Sequence, residues 1–157
     1  MMRIGHGYDV HRLAQGRALV LGGARIPCEQ GLLGHSDADV LAHAVMDALL
    51  GAAALGDIGK HFPDDDARYA GADSMELLRR VCHLVDREGY AVANLDATIV
   101  AEQPKLAPYI PEMRYKLAHA CGVAPAQVGV KATSEEGLGL AGRGIAAHAV
   151  VLLEGTV

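Results

Sequence analysis

The stretch SDADVLAHAVMDALLGAAALG, residues 36–56, carries the clearest helix signal in the chain. Ser36 is a suitable N-cap, and Asp39 follows three residues later, as in a capping box with aspartate in place of glutamate. Apolar residues recur at helical spacing and define one face; they are Val40, Leu41, Ala44, Val45, Ala48, Leu49 and Ala52. Gly56 marks the predicted end. The helix therefore packs one face on a core and leaves His43 on its polar stripe.

Around this helix, short apolar runs alternate with turns rich in glycine and proline. Extended segments are predicted at residues 3–13, 18–27 with a bend at the Gly22–Gly23 pair, 92–101, 128–133 and 145–153. Further helices are predicted from Asp73 or Ser74 to Glu88, and from Pro108 or Pro111 to Gly122. We therefore predict an α/β (α+β) fold, a mixed β-sheet packed with about three main helices on one side, in a single domain of residues 1–157.

The composition is that of one folded domain. The chain has 157 residues, of which 51% are apolar and 21% charged, and this excludes a disordered protein. Its net charge is −5, and it contains no tryptophan and a single phenylalanine. We therefore expect no nucleic-acid partner, because a negatively charged chain does not attract phosphates and few aromatic rings are available for stacking on bases. No apolar run approaches the roughly 18 residues of a membrane span.

The cysteines and the first residues indicate a compartment. Cys28, Cys82 and Cys121 form no C-x-x-C pair, and the opening MMRIGHGYDVHRL is too polar for a secretory leader. We therefore expect reduced thiols and a cytoplasmic location.

Five of the eight histidines lie in the first 61 residues, and two of them form a candidate metal site. Asp9 and His11 lie two apart in an extended segment, so both side chains share one face while Val10 faces the core. His43, on the predicted helix, completes the set. One carboxylate and two imidazoles suit Zn²⁺ and leave a fourth position open, as in catalytic sites. By ligand type alone, Fe²⁺, Mn²⁺ or Co²⁺ also fit.

A metal-bound imidazole leaves one ring N–H free, and that group needs an acceptor. Asp39 and Asp47 each lie four residues from His43 on the predicted helix. Either one could accept this hydrogen bond, and we favour Asp47. The other histidines are assigned to packing, loops or the surface; they are His6, His61, His83, His119 and His148.

Two segments are suited to binding phosphate. His35 and Ser36 lie at the N-terminus of the predicted helix, where free N–H groups and the helix dipole favour an anion. Residues 131–144, KATSEEGLGLAGRG, combine a lysine, hydroxyls and an arginine with a flexible backbone. Glu136 or Glu135 could hold a hard cation such as Mg²⁺ between two phosphates.

Two further loops are open to more than one interpretation. The acidic residues 63–66 either accept hydrogen bonds from sugar-like hydroxyls or are simply solvated. The turn QPKLAP at residues 103–108 exposes backbone groups that could read a nucleobase edge. Taken singly, each of these segments is also compatible with a structural role, as a helix cap, a turn or a solvated surface.

Four segments taken together carry a more specific signal. They are GHGYDVHRL at 5–13, GHSDADVLAHAVMDALLGAAALGDIGKHFPD at 34–64, ATIVAEQPKLAPYIPEMR at 97–114 and VKATSEEGLGLAGRGIAAHAVVLL at 130–153. In this order they resemble the 2-C-methyl-D-erythritol 2,4-cyclodiphosphate synthases of the non-mevalonate isoprenoid pathway. The resemblance implies cyclisation of 4-diphosphocytidyl-2-C-methyl-D-erythritol 2-phosphate with release of CMP. It also implies a homotrimer with active sites between subunits and an apolar axial cavity.

The resemblance assigns roles residue by residue. It implies zinc on the aspartate and two histidines identified above, charge-stabilising roles for His35 and Ser134, and a second cation, Mg²⁺ or Mn²⁺, at Glu136. Contacts to the methylerythritol hydroxyls are implied for Asp57, Ile58, Gly59, Phe62, Pro63, Asp64, Asp65 and Asp66. Contacts to cytosine and ribose are implied for Ala101, Pro104, Lys105, Leu106, Ala107, Ala132 and Thr133. Arg143 matches a position near the phosphates, and Leu140 stands where the trimer cavity often has phenylalanine; Ser36 and Glu135 complete the substrate-binding candidates.

Two other functions fit the same residues. A zinc-dependent phosphoesterase would use a water at the open metal position, and its product would be a hydrolysed phosphate. A non-catalytic trimeric protein stapled by zinc would bind nucleotide or isoprenoid diphosphates without turning them over. The products formed, and the effect of metal removal on folding, separate these alternatives from the synthase.

Overall fold

A computed structural model describes residues 1–156. Its strands are β1 (Met2–Gln15), β2 (Leu19–Leu21), β3 (Ala24–Ile26), β4 (Gln30–Leu32), β5 (Tyr90–Val100), β6 (Val128–Thr133) and β7 (Gly144–Gly155). Its α-helices are α1 (Val40–Ala52), α2 (Ile58–His61), α3 (Ser74–Arg87) and α4 (Ile110–Cys121). Short 3₁₀ turns lie at Ala67–Tyr69, Ala107–Tyr109 and Pro125–Gln127. No helix in the described residues is both long and apolar enough to cross a membrane.

Five strands form one mixed sheet in the order β4-β1-β7-β5-β6, and β2 and β3 form a separate hairpin. The pairs within the sheet are antiparallel except for β5 and β6, which run parallel. Helix α1 packs on β1 and β7, α3 packs beside α1, and α4 packs on α3 and β6. The predicted mixed sheet with helices on one side is therefore confirmed. Three details differ from the prediction. The segment 18–27, predicted as one bent extended segment, forms the two paired strands β2 and β3. The short strand β4 and the single-turn helix α2 lie where no element is predicted.

Two glycines of β1 bring the strand into direct contact with α1. A Cβ atom on Gly5 would lie 1.9 Å from the carbonyl oxygen of Ala48, and one on Gly7 would lie 1.9 Å from that of Ala44. Because no side chain separates the two backbones, residues on the helix come within reach of residues on the strand. This close approach places His43 next to Asp9 and His11.

Helix α1 begins three residues later than predicted. Asp39, not Ser36, is its N-cap, and the Asp39 carboxylate accepts hydrogen bonds from the backbone N–H groups of Ala42, Gly22 and Gly23. The same carboxylate thus caps the helix and holds the β2–β3 hairpin. The helix is also buried on nearly all sides, so the prediction that His43 lies on a polar stripe is wrong; His43 is buried.

The prediction that Val10 faces the core is also wrong. In β1 the residues that face α1 are odd-numbered, and the even-numbered residues lie on the opposite face of the sheet. On that opposite face Val10 is 40% exposed and Ile4 is 71% exposed. Tyr8 of β1 and Val150 of β7 are exposed on the same face. Asp9 and His11 do share one face, as the strand alternation predicts.

The other elements agree with the sequence. Helix α3 begins after an Asp73 cap, and α4 ends at Gly122, which adopts a left-handed conformation (φ 68°) typical of a helix C-cap. Strand β6 has the predicted bounds. Strand β5 begins two residues before its predicted start and ends one residue before its predicted end, and β7 is longer than predicted by one residue at its start and two at its end. All three cysteines are free.

Candidate active site

Three side chains converge where α1 crosses β1. The Oδ2 atom of Asp9 lies 2.9 Å from Nε2 of His11 and 3.0 Å from Nδ1 of His43, and the two nitrogens are 3.4 Å apart. Donor atoms bound to one tetrahedral zinc ion are separated by about 3.3 Å. The donor set therefore fits a divalent metal ion, as the sequence predicts, and we call these three residues the metal triad.

Hydrogen bonds outside the metal triad orient both imidazoles. The Nδ1–H of His11 donates to the carbonyl oxygen of Leu33 at 2.9 Å, which leaves Nε2 free to bind a metal. The Nε2–H of His43 donates to Ser74 Oγ at 2.8 Å, with Ser36 Oγ at 3.2 Å, which leaves Nδ1 free. When a metal replaces the hydrogen bonds to Asp9, each ring would therefore present an unprotonated nitrogen to the same point.

Ser74 in turn contacts a carboxylate. Its hydroxyl donates to the Oδ1 atom of Asp37, and its backbone N–H donates to the Oδ2 atom at 3.0 Å. Asp37 thus stabilises the arrangement in which the Ser74 oxygen accepts the proton of His43. The chain Asp37–Ser74–His43 connects the N-terminus of α3 to the metal triad.

The prediction that Asp47 or Asp39 accepts the ring N–H of His43 is wrong. Asp47 instead accepts a hydrogen bond from the backbone N–H of Ile58 at 2.9 Å and holds the start of α2. Asp39 is fully buried at the helix N-terminus, where burial raises its pKa to about 6 against the lowering effect of its backbone donors. Helical spacing identified neighbours of His43 along α1, but its partner belongs to α3.

The charges of the metal triad favour metal ligation by Asp9. Burial alone raises the pKa of Asp9, but hydrogen bonds and charge from His11 and His43 outweigh it and lower the pKa to about 2. The hydrogen bond to Asp9 raises the pKa of His11, although burial opposes that effect. Asp9 is therefore ionised at neutral pH, whereas His11 must lose a proton before it binds a metal.

The metal triad lies in a cavity of about 230 Å³. Its walls come from the loop before α1, from α1 itself and from the segment around α2, and Phe62 packs edge-on against Tyr69 with ring centroids 5.3 Å apart. The lining residues besides the triad are Gly34, His35, Ser36, Met46, Ile58, Gly59, Phe62, Asp64, Tyr69 and Leu77. His35 is held in this region by a hydrogen bond between its Nε2–H and the carbonyl oxygen of Asp66 at 2.9 Å. The cavity thus combines metal ligands, helix-start hydroxyls and an apolar wall.

Two other predicted residues near this cavity use their carboxylates to cap short helical segments. Asp57 caps α2 by accepting from the N–H of Lys60 at 3.0 Å. The Asp66 carboxylate caps the following 3₁₀ turn and pairs with the Arg68 side chain, whose hydrogen bonds lower the pKa of Asp66. Pro63 and Asp65 do not line the cavity in the described structure.

A second group of predicted residues lies at the ends of β5 and β6 and does not line the triad cavity. Glu102 joins its two loops: its Oε1 atom accepts from the N–H groups of Glu135 at 3.2 Å and Gly137 at 3.1 Å. Glu135 folds back to accept from the N–H of Leu140 at 2.9 Å, whereas Glu136 is exposed. This group comprises Ala101, Pro104, Lys105, Leu106, Ala107, Ala132, Thr133, Ser134, Glu135, Glu136, Leu140 and Arg143.

Glu136 is the carboxylate of the pair that remains available. Its backbone has a left-handed conformation (φ 55°), and its Oε1 atom lies 3.4 Å from Ser134 Oγ. Of the two glutamates named above for a hard cation, Glu136 is the exposed one, and its cation-binding role stays a prediction. Within one chain, Ser134 and Glu136 form a group separate from the metal triad.

Sequence reasoning missed four polar or aromatic residues of these sites. The sequence indicates Ser74 only as a possible helix start, and Asp37, Tyr69 and Glu102 carry no pattern of their own. The one available signal was chemical: two serines, Ser36 and Ser74, each lie at a predicted helix start and could accept from a histidine.

The sequence profile of the YgbB family matches residues 2–154. This chain belongs to the YgbB family. One curated relative of this YgbB-family chain is the 2-C-methyl-D-erythritol 2,4-cyclodiphosphate synthase of Trichlorobacter lovleyi, 65% identical over 154 residues that cover 97% of this chain and 98% of that protein.

Solved structures agree with this family assignment. A 2C-methyl-D-erythritol-2,4-cyclodiphosphate synthase in a CDP-bound form superimposes with a TM-score of 0.90 at 40% identity, covering 97% of this YgbB-family chain and 100% of that one. The bifunctional IspDF of Campylobacter jejuni gives a TM-score of 0.95 at 40% identity and 99% coverage of this chain, which spans only 42% of that longer protein. The YgbB-family fold thus occurs alone and as part of a larger chain.

Proposed function

We propose that this chain is a 2-C-methyl-D-erythritol 2,4-cyclodiphosphate synthase, and that residues 1–157 act as one catalytic domain. In the reaction, an oxygen of the substrate 2-phosphate attacks the β-phosphorus of the cytidyl diphosphate. A new P–O bond forms, the bond from the β-phosphorus to the bridging oxygen breaks, and CMP leaves with that electron pair. The observation that carries the proposal is the metal triad at the base of a cavity, in a chain 65% identical to a synthase of this name.

We assign Zn²⁺ to the metal triad, with Mn²⁺ or Co²⁺ as alternatives, and Mg²⁺ or Mn²⁺ with the substrate diphosphate to Glu136. Such cations supply Lewis-acid polarisation of phosphate oxygens. The nitrogen-rich triad suits a borderline ion, whereas the lone exposed carboxylate suits a hard one. Two chemically different donor sets therefore support two different metals.

The remaining chemistry is positioning and charge stabilisation, which dominate phosphoryl transfer. His35, at the cavity, and the Ser134 hydroxyl donate hydrogen bonds to oxygens that gain charge. A phosphate nucleophile is ionised at neutral pH, so the chain needs no general base. The α2 segment around Asp57 meets the methylerythritol hydroxyls, and the loops joined by Glu102 meet cytosine and ribose.

We further propose that the chain forms a homotrimer with active sites between neighbouring copies. Two observations support this. Ser134 and Glu136 do not line the triad cavity of their own chain, so a site that needs both groups requires a second copy. The sheet face opposite α1 exposes apolar side chains, including Ile4 and Val10, that a monomer would leave in water.

The decisive experiment mixes the purified, untagged chain with the cytidyl diphosphate substrate, Zn²⁺ and Mg²⁺, and follows phosphorus by NMR. We expect a cyclic diphosphate and an equal amount of CMP. Release of a hydrolysed phosphate would instead indicate a phosphoesterase, and tight binding without turnover would indicate a binding protein. Sedimentation of the same sample measures the proposed trimer.

A matched pair of variants tests the role of the metal triad. His43→Ala removes a ligand, so we expect loss of bound zinc and of most turnover from a chain that remains folded. His83→Ala, which changes an exposed histidine of α3, keeps both. Near-normal cyclisation by His43→Ala would refute the assignment.

The cytoplasmic location also remains a prediction.

A further inference from the structure

A second pair of histidines lies on the face of the sheet that points away from α1. His6 on β1 and His148 on β7 are both exposed, and Nε2 of His6 lies 3.2 Å from Nδ1 of His148. The ring of Tyr8, which is paired with His148 across the two strands, packs on the His148 ring with centroids 4.8 Å apart. Neither histidine takes part in the metal triad, which lies on the opposite face.

We propose that His6 and His148 form a second, shared site for a borderline transition metal such as Zn²⁺, Ni²⁺ or Cu²⁺. Two nitrogens 3.2 Å apart, each bound at a length of about 2.05 Å, subtend an angle of roughly 100° at the ion. That angle lies between the octahedral and tetrahedral values. Imidazole nitrogen is the donor that these ions favour, whereas Mg²⁺ and Ca²⁺ require oxygen.

The site is incomplete in one chain. Two nitrogens from each of three chains would fill a six-coordinate sphere, so one chain supplies only a third of it. Ile4, Val10 and Val150 share this face, and the residues opposite His148 on the two neighbouring strands are Tyr8 and Thr98, neither of which carries a carboxylate, imidazole or thiol. This is the face that we assign to contacts between copies, so this inference rests on the proposed trimer. The missing ligands are the same histidines of the other copies, and a single ion therefore joins three chains.

Nickel binding measures this site separately from the metal triad. Untagged protein is first loaded with one zinc per chain and then dialysed against Ni²⁺, and both metals are quantified by mass spectrometry. We expect about one nickel per three chains with the zinc content unchanged. His6→Gln and His148→Gln should each weaken nickel binding by at least tenfold, whereas His83→Gln, an exposed histidine on α3, should not change it.

Each alternative result would overturn the proposal. Equal nickel binding by wild type, His6→Gln and His148→Gln would show that the pair is not the site. One nickel per chain would show that copies do not share the ion. Failure of the synthase proposal is detected independently, because the phosphorus NMR assay reads turnover and sedimentation reads the trimer in zinc-loaded protein without nickel.

Discussion

Replacing Ser74 with alanine removes the hydroxyl that accepts the Nε2–H of His43. The Ser74 side chain is fully buried, and its oxygen lies 2.8 Å from that nitrogen. Loss of such an outer partner typically weakens metal binding by about 10- to 100-fold, or about 1.4 to 2.8 kcal/mol. Because Ser36 Oγ remains 3.2 Å from the same nitrogen as a substitute acceptor, we expect a loss near the lower limit, about tenfold.

Competition with a chromogenic zinc chelator measures this affinity directly. Ser134→Ala is the matched control, since it makes the same change in a residue that contacts neither imidazole of its own chain, and it should leave zinc affinity unchanged. Asp37→Asn tests the next contact in the chain and should weaken zinc binding less than Ser74→Ala does. Thermal unfolding followed by circular dichroism verifies that each variant is folded. Wild-type zinc affinity in folded Ser74→Ala would refute the argument that this hydroxyl orients His43.

Three further predictions concern the fold, the pH dependence and the second cation. Gly7→Ala places a Cβ 1.9 Å from the Ala44 carbonyl oxygen and should lower the unfolding free energy by more than about 3 kcal/mol in denaturant titrations. Gly51→Ala, which adds a Cβ in open space on α1, should raise the unfolding free energy by about 0.5–1 kcal/mol. Equal effects of the two substitutions would contradict the close-contact argument. Zinc affinity should fall as the pH is lowered, because the hydrogen bond to Asp9 raises the pKa of His11 above its usual value and a proton then competes with the metal. Titrations at several pH values check this, and a flat profile would contradict it. Glu136→Gln should raise the Mg²⁺ concentration needed for half-maximal turnover without lowering zinc content, and loss of zinc would contradict two separate sites.

Much of the fold could be predicted because local signals agreed with the final packing. The aspartate cap before α3 and the glycine after α4 fixed those helix ends. The start of α1 was misplaced because Ser36 and Asp39 are both good caps, and only tertiary contacts choose between them. Asp39 also binds the hairpin at Gly22 and Gly23, whereas the Ser36 oxygen faces His43.

The metal triad was predictable from strand alternation and residue type, but its supporting residues were not. Ser74 is 31 positions from His43 in sequence and meets it only because α3 packs beside α1. The prediction that Val10 faces the core was wrong for a different reason. Alternation along a strand separates two faces but does not identify which face the helices cover. In the sequence, an apolar residue on the uncovered face therefore looks the same as a core residue.

The contact between Gly5 and Gly7 of β1 and the backbone of α1 has a consequence for engineering the metal preference. Where side chains pack between two elements that carry metal ligands, a larger or smaller side chain there can change the distance between those elements. Here no such intervening layer exists, so the separation between the strand ligands and the helix ligand has no adjustable spacer. A redesign for a larger ion would have to exchange the ligands themselves, because changes in side-chain packing cannot move the strand away from the helix and enlarge the metal site.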